Sequence, residues 1–383
     1  MKRLAGPVVV PALVVLLSVA SVFFIGVVGC GARDPQVRPD PVERLLAVAE
    51  PVVQRANGKD TWEVVVCRVP RGVTDPLYAE LDDRMERDAV EIVDLLRPVS
   101  GYYDRWSGGR YALRFVAAGN DVSILSTETS QQCVDRALDG SSGDTEGVLV
   151  VADAQHAENA EGGRGGPGSS CDDDCSAKAT RRYVYVGASD FMSVWGSEPP
   201  LDLIEHELGH GLDWPHSSLT AEGLDGVVYD SPYDLMSNSA ASRETDETLR
   251  HGPGILVVNL LAAGWVDPER VVRWRPGDDT RVVELAARSD RSSSDVMMVS
   301  LIVDESSFYS IEMVGASGDD AFHESDFVLI HRVEITDGSG FDRRQYLVSG
   351  ELRVGDAWTG NGFAVRVLTM GDGRARIEIS EDA

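Results

Sequence analysis

The chain has 383 residues, with 63 acidic against 35 basic side chains and a formal net charge of −28 at pH 7. A surface of that sign repels phosphates, so nucleic acid and anionic lipid headgroups are poor partners for it. No internal repeat and no nucleotide-binding glycine loop is present to suggest otherwise.

Met1-Lys2-Arg3 forms a short basic start, and residues 4–28 are almost wholly apolar. Length alone would allow a membrane-spanning helix. The run ends, however, in Val27-Val28-Gly29-Cys30, which resembles the lipobox of bacterial lipoprotein signal peptides. That resemblance implies cleavage before Cys30, with residues 1–29 as the signal and the Cys30 thiol carrying the lipid. The alternative reading is an uncleaved N-terminal anchor. Either one places the bulk of the chain outside the cytoplasm, on a membrane surface. Loss of residues 1–29 removes Lys2 and Arg3 and no acid, which leaves the chain more acidic still.

Four cysteines follow: Cys67, Cys133, Cys171 and Cys175. An even number in an exported chain points to two disulfides. Cys171 and Cys175 enclose only Asp172-Asp173-Asp174 and make the preferred local loop, leaving Cys67 with Cys133. A four-cysteine metal site is the alternative, although the spacing lacks paired Cys-x-x-Cys units.

Residues 30–60 are Pro-rich and charged, with one amphipathic run at 42–54, and are expected as a tether with a minor helix. From Thr61 the composition becomes globular. Residues 62–69 read as a buried strand, and Asp75-Pro76 as the start of a long helix to about residue 96. Residues 102–116 suggest a helix end, a Gly turn and a second strand. A short helix at 130–138 and a third strand at 147–152 follow. Strands alternating with helices point to a mainly parallel sheet. Residues 157–174 are Gly-rich, polar and acidic, and read as a long surface loop. Their acids could hold calcium, but no regular calcium-loop spacing supports this. Residues 181–187 alternate like a strand, and Pro199-Pro200-Leu201-Asp202 is a suitable helix start.

The helix that begins there carries Ile204-Glu205-His206-Glu207-Leu208-Gly209-His210-Gly211-Leu212-Asp213-Trp214-Pro215-His216. His206 and His210 are four residues apart, so their rings leave the same helix face and can share one metal ion. Leu201, Ile204, Leu208 and Leu212 mark an apolar stripe beside them. Glu207 stands where a carboxylate can take a proton from an attacking water. If residues 211–215 turn the chain back, His216 supplies a third nitrogen and leaves a fourth position open, as in a catalytic zinc site.

This stretch resembles the metzincin signature, His-Glu-x-x-His-x-x-Gly-x-x-His. Asp213 stands where that signature has Gly. Asp is one of the few residues with a side chain that tolerate a left-handed backbone, so Asp213 is expected in that turn and should accept replacement by Gly. Seventeen residues after His216, Tyr233-Asp234-Leu235-Met236-Ser237 resembles the metzincin Met-turn, with Met236 as an adaptable apolar floor to the imidazoles. Tyr233 is a candidate for stabilising the reaction oxyanion.

Residues 254–266 read as a second helix ending at Gly264. The piece 261–266 resembles an element that closes the catalytic domains of immune inhibitor A-like and gametolysin-like peptidases. Residues 308–312 and 327–333 resemble strands of the β domain that follows in those proteins. Short alternating strands at 280–285, 296–303, 346–354 and 364–368 complete an expected all-β sandwich. His156, His251, His323 and His331 are read as surface or strand residues rather than ligands.

The expected architecture is thus a mixed α/β (α+β) metzincin-like domain at 61–266 and a β-sandwich domain at 267–383. The expected activity is a monomeric, zinc-dependent endopeptidase on protein or peptide substrates. His206, His210 and His216 would hold Zn²⁺ and Glu207 would be the general base. The rival expectation is a non-catalytic envelope-binding module with a relic zinc site.

Overall fold

The computed structural model describes residues 40–78, 83–156, 163–166, 181–336 and 342–382. The proposed lipidation site Cys30, the pair Cys171 and Cys175, and the acids considered for calcium lie outside the described residues.

Helix α1, Pro41–Arg55, starts where Asp40 accepts a hydrogen bond from the Glu43 amide and Pro41 fills the first turn. The segment expected to be a tether is therefore docked. Val42, Leu45, Ala49 and Val52 recur at helical spacing and are buried in the main core. Asn57 donates to the Ala263 carbonyl at 3.0 Å, and the Trp265 indole donates to the Ala56 carbonyl at 2.7 Å. These bonds hold the helix end against the later chain.

The first sheet contains β1 (Gly58–Arg68), β2 (Tyr111–Ala117), β3 (Val122–Ser123), β4 (Gly147–Ala152), β5 (Gly163–Gly166) and β6 (Arg182–Val186). Its order is β2-β1-β4-β6-β5, with β3 also on β1. Every pairing is parallel except β5 on β6. The central strands are apolar on both faces because both are covered. Val64, Val66, Leu149, Val151, Val184 and Val186 face the main core. Val65, Cys67, Val148, Val150 and Tyr185 face α4 (Ser130–Gly140). A disulfide joins Cys67 on β1 to Cys133 on α4, with Cα atoms 5.8 Å apart.

Three local expectations are corrected here. Asp75-Pro76 opens only the single turn Pro76–Tyr78. Helix α2 (Ala89–Leu95) starts afresh at the Asp88/Glu91 capping box, and α3 (Arg97–Ser107) follows it. Within the expected surface loop, residues 163–166 form the antiparallel strand β5. The expected helix at 254–266 is regular only over α8, Val257–Ala262. Upstream, Asp320 takes the Gly254 amide, and Asp234 and Glu312 take those of Leu256 and Val257.

After helix α5 (Asp202–Gly211) come β7 (Ser217–Ser218), α6 (Ala221–Asp225) and α7 (Ala241–Thr245). Beyond α8 the chain is β-rich: β8 (Val271–Trp274), β9 (Arg281–Ala286), β10 (Met298–Ile302), β11 (Ser307–Val314), β12 (Phe327–Glu334), β13 (Arg344–Leu347), β14 (Ala357–Gly360), β15 (Phe363–Gly371) and β16 (Arg374–Glu381). They form a largely antiparallel sheet, β7-β13-β12-β11-β10-β8, and an antiparallel one, β14-β15-β16-β9. Leu285, Ile311, Ile330, Val365 and Ile377 share one core between them. The strand expected at 346–354 stops at Leu347, because the Ser349 hydroxyl takes the Ile330 amide and breaks the ladder.

The second half is not separate from the first. Val271, Met298, Phe308 and Val333 belong to the same core as Trp62, Ile204 and Met236. Strand β7, which directly follows His216, pairs in parallel with β13.

Candidate metal centre

Leu201, Ile204, Leu208 and Leu212 bury one side of α5 in the main core, which fixes the rotation of the helix. His206 and His210 then project together into a cleft of about 470 Å³. The helix stops abruptly. The Asp213 amide donates to the His210 carbonyl at 2.9 Å and the Trp214 amide to the Gly209 carbonyl at 3.1 Å, the paired bonds of a Schellman end. That geometry requires a left-handed residue, and Asp213 supplies it with φ of +62°. The reversal brings His216 back over the helix, with its ring 4.5 Å from that of His210 and 5.3 Å from that of His206.

Backbone carbonyls orient the imidazoles of His206 and His210. His206 Nδ1 lies 2.7 Å from the Leu235 carbonyl and His210 Nδ1 lies 2.8 Å from that of Trp214. A carbonyl can only accept, so both Nδ1 atoms carry the proton and both Nε2 atoms offer a lone pair. His210 Nε2 and His216 Nε2 are 2.9 Å apart, and one ligand atom from each of the three residues lies within 4.8 Å of the others. Nitrogens sharing a tetrahedral Zn²⁺ would sit roughly 3.3 Å apart, a separation that this spacing approaches. Burial lowers the pKa of all three: His206 to about 3 (the His216 charge adding to it), His216 to about 4, and His210 well below its ordinary value. Neutral imidazoles and an all-nitrogen donor set of three fit Zn²⁺. Among the described residues this is the cluster able to hold a metal ion.

Glu207 is buried and lines the same cleft. Strand β5 crosses so close to α5 that a Cβ on Gly165 would strike the Glu207 carbonyl. Only glycine allows that approach, and it puts β5 along the rim of the cleft beside Glu207. Arg164 of the same strand lines the cleft and lies over the Tyr185 ring.

Met236 is fully buried against α5, and a Cβ on Gly209 would collide with its sulfur. Its segment is tied to the ligand loop, since the Ser217 amide donates to the Met236 carbonyl at 3.0 Å and the Ser217 hydroxyl to Asp234 at 2.6 Å. Tyr233 does not join the site. Its ring packs on Phe327 and His323, and its hydroxyl donates to Glu351 at 3.2 Å. The aromatic residue beside the histidine cluster is instead Tyr229, whose ring is 4.8 Å from that of His216.

Other residues reveal themselves only in three dimensions. Glu205 is fully buried behind the helix and accepts from His251 at 2.6 Å and from the Gly252 amide at 2.9 Å. Burial raises Glu205 to about 7 even so. His251 is therefore a partner for a buried acid. His331 is a buried residue of β12, His323 stacks on Tyr233, and His156 packs between Tyr78 and Tyr185. None of these contacts leaves a spacing signal in the chain.

No family model matches the chain, and no curated protein matches it. The site's own geometry therefore carries the functional argument.

Proposed function

We propose that the chain is a zinc-dependent endopeptidase of metzincin type, lipid-anchored outside the cytoplasm through Cys30. One observation carries this reading: three converging imidazoles and a buried glutamate share one open cleft. His206, His210 and His216 would hold the ion. Zinc in such a site acts as a Lewis acid that activates water and polarises a carbonyl. Glu207 takes the proton of the attacking water and delivers it to the departing amine, so it serves first as base and then as acid. β5, whose described pairing is with β6 alone, offers a strand edge at the rim along which an extended peptide can lie.

The test is to incubate the purified full-length chain with a peptide library, with and without a zinc chelator. Cleavage that the chelator abolishes and added zinc restores is the expected result. No cleavage under any condition would favour a non-catalytic envelope-binding module instead.

A further inference from the structure

A second cavity, of about 370 Å³, shares no lining residue with the histidine cleft. It opens where the end of α3, the turn after α8 and the loop between β9 and β10 meet. Three arginines line it, Arg110, Arg270 and Arg291, in a chain whose acids outnumber its bases by 63 to 35. The carboxylates around them are already claimed by other arginines or by one of the three. Arg110 holds both oxygens of Asp267 at 2.9 Å. Arg374 holds Asp290 at 3.0 Å and Asp295 at 2.8 Å.

Arg270 and Arg291 are left with neutral acceptors. Arg270 is buried and donates to the carbonyls of Asp295 at 2.8 Å and Asp290 at 3.3 Å. Arg291 reaches the Met297 sulfur at 3.3 Å and the Trp265 carbonyl, and its Nε is buried with no partner. Burial, with the charges of Arg270 and Arg110 adding to it, lowers the Arg291 guanidinium to about 10. Like charges held together out of water are costly unless an opposite charge meets them. The lining carries two carboxylates against its three guanidiniums, Asp267 on Arg110 and the exposed Glu269. That balance suits a monoanion, and a planar carboxylate matches the fork of a guanidinium.

We propose that this cavity is a binding site for a carboxylate, carried by a small organic acid or by the C-terminal end of a peptide, and held by Arg270 and Arg291. The site is separate from the histidine cleft, so the inference does not rest on the peptidase reading. It is tested by binding rather than by turnover.

The experiment follows thermal unfolding of the full-length chain with sodium acetate, phosphate or chloride at constant ionic strength. Acetate should raise the melting temperature saturably, by about 2 °C at tenfold above half-saturation, and phosphate should raise it less. Arg291→Gln should abolish the acetate effect. Glu269→Gln changes an exposed residue and removes a repelling charge, so it should tighten acetate binding by about threefold. A blocked tripeptide with a free terminal carboxylate, compared with its amide, separates the two sources. Tighter binding of that acid than of acetate marks a chain end, and equal binding marks a small acid; the amide should bind in neither case. No saturable acetate effect, a larger effect of phosphate, an amide that binds as well as the acid, or unchanged acetate binding in Glu269→Gln would each overturn the proposal. So would a folded Arg291→Gln chain that still responds to acetate; if that variant does not fold, Glu269→Gln decides.

Discussion

Gln345, on β13 of the second half of the chain, donates its side-chain amide to the carbonyl of Pro215 at 3.3 Å, one residue before the third histidine. Gln345 is fully buried and is also the ladder partner of Ser217, one residue after that histidine. The His216 loop is therefore strapped on both sides to a strand about 130 residues away. The C-terminal β unit is part of the support of the histidine cluster.

Gln345→Ala should leave the Pro215 carbonyl buried without this donor, at about 1–3 kcal/mol of stability. Outer supports of this type typically contribute 10–100-fold in metal affinity. Zinc competition titration should therefore show weaker binding on the order of tenfold, with His206 and His210 intact. A variant that binds zinc at the parental strength would mean that the helix end alone positions His216.

Asp213 lies close enough to the buried Arg343 to act on its charge. Burial lowers the Arg343 guanidinium to about 10, and Asp213 and Asp234 hold it up. Asp213→Asn keeps a residue that tolerates the left-handed turn and removes only the charge, so it should lower stability. Asp213→Gly loses the same charge but recovers about 1 kcal/mol of backbone strain. The expected order of thermal stability is parental, then Gly, then Asn. That reverses the expectation from sequence that Gly would be neutral or better. A Gly variant more stable than the parent would show that the carboxylate does nothing for Arg343.

Glu207→Gln and His210→Ala should separate chemistry from metal binding. Gln cannot accept the proton, so peptide cleavage should fall by ~10²–10⁴-fold while bound zinc stays near stoichiometric. His210→Ala removes a ligand, and zinc content and cleavage should fall together. Parental cleavage rates in the Gln variant would sink Glu207 as the base. Loss of zinc from it would make Glu207 a ligand instead.

The anchor is tested at Cys30. Cys30→Ser should release the chain from membranes or stall its processing, as read by fractionation and intact mass. Membrane-bound protein of unchanged mass would mean that residues 4–28 remain as an ordinary anchor.

Several features were determined by the sequence itself because their causes are local. The spacing of His206 and His210 places both rings on one face of any helix, and Leu201, Ile204, Leu208 and Leu212 say which face turns inward. Asp213 belongs to the short list of residues that can take φ of +62°, so the turn delivering His216 was readable. The apolar run at 62–69 announced a buried strand, and β1 places Val64 and Val66 in one core and Val65 and Cys67 in another. Tertiary structure decided what depends on distant partners. Asp320, Asp234 and Glu312 shorten the start of α8 by taking its amides, and Ser349 ends β13 by taking one from β12. Tyr233 is drawn away by Phe327 and Glu351, while Tyr229 reaches the histidines. Glu205 meets His251, Pro215 meets Gln345, and the glycines of β5 meet α5. Local periodicity specifies which way a side chain points from its own helix or strand. It carries no information about which remote backbone will present a free donor, a carbonyl or room for a Cβ.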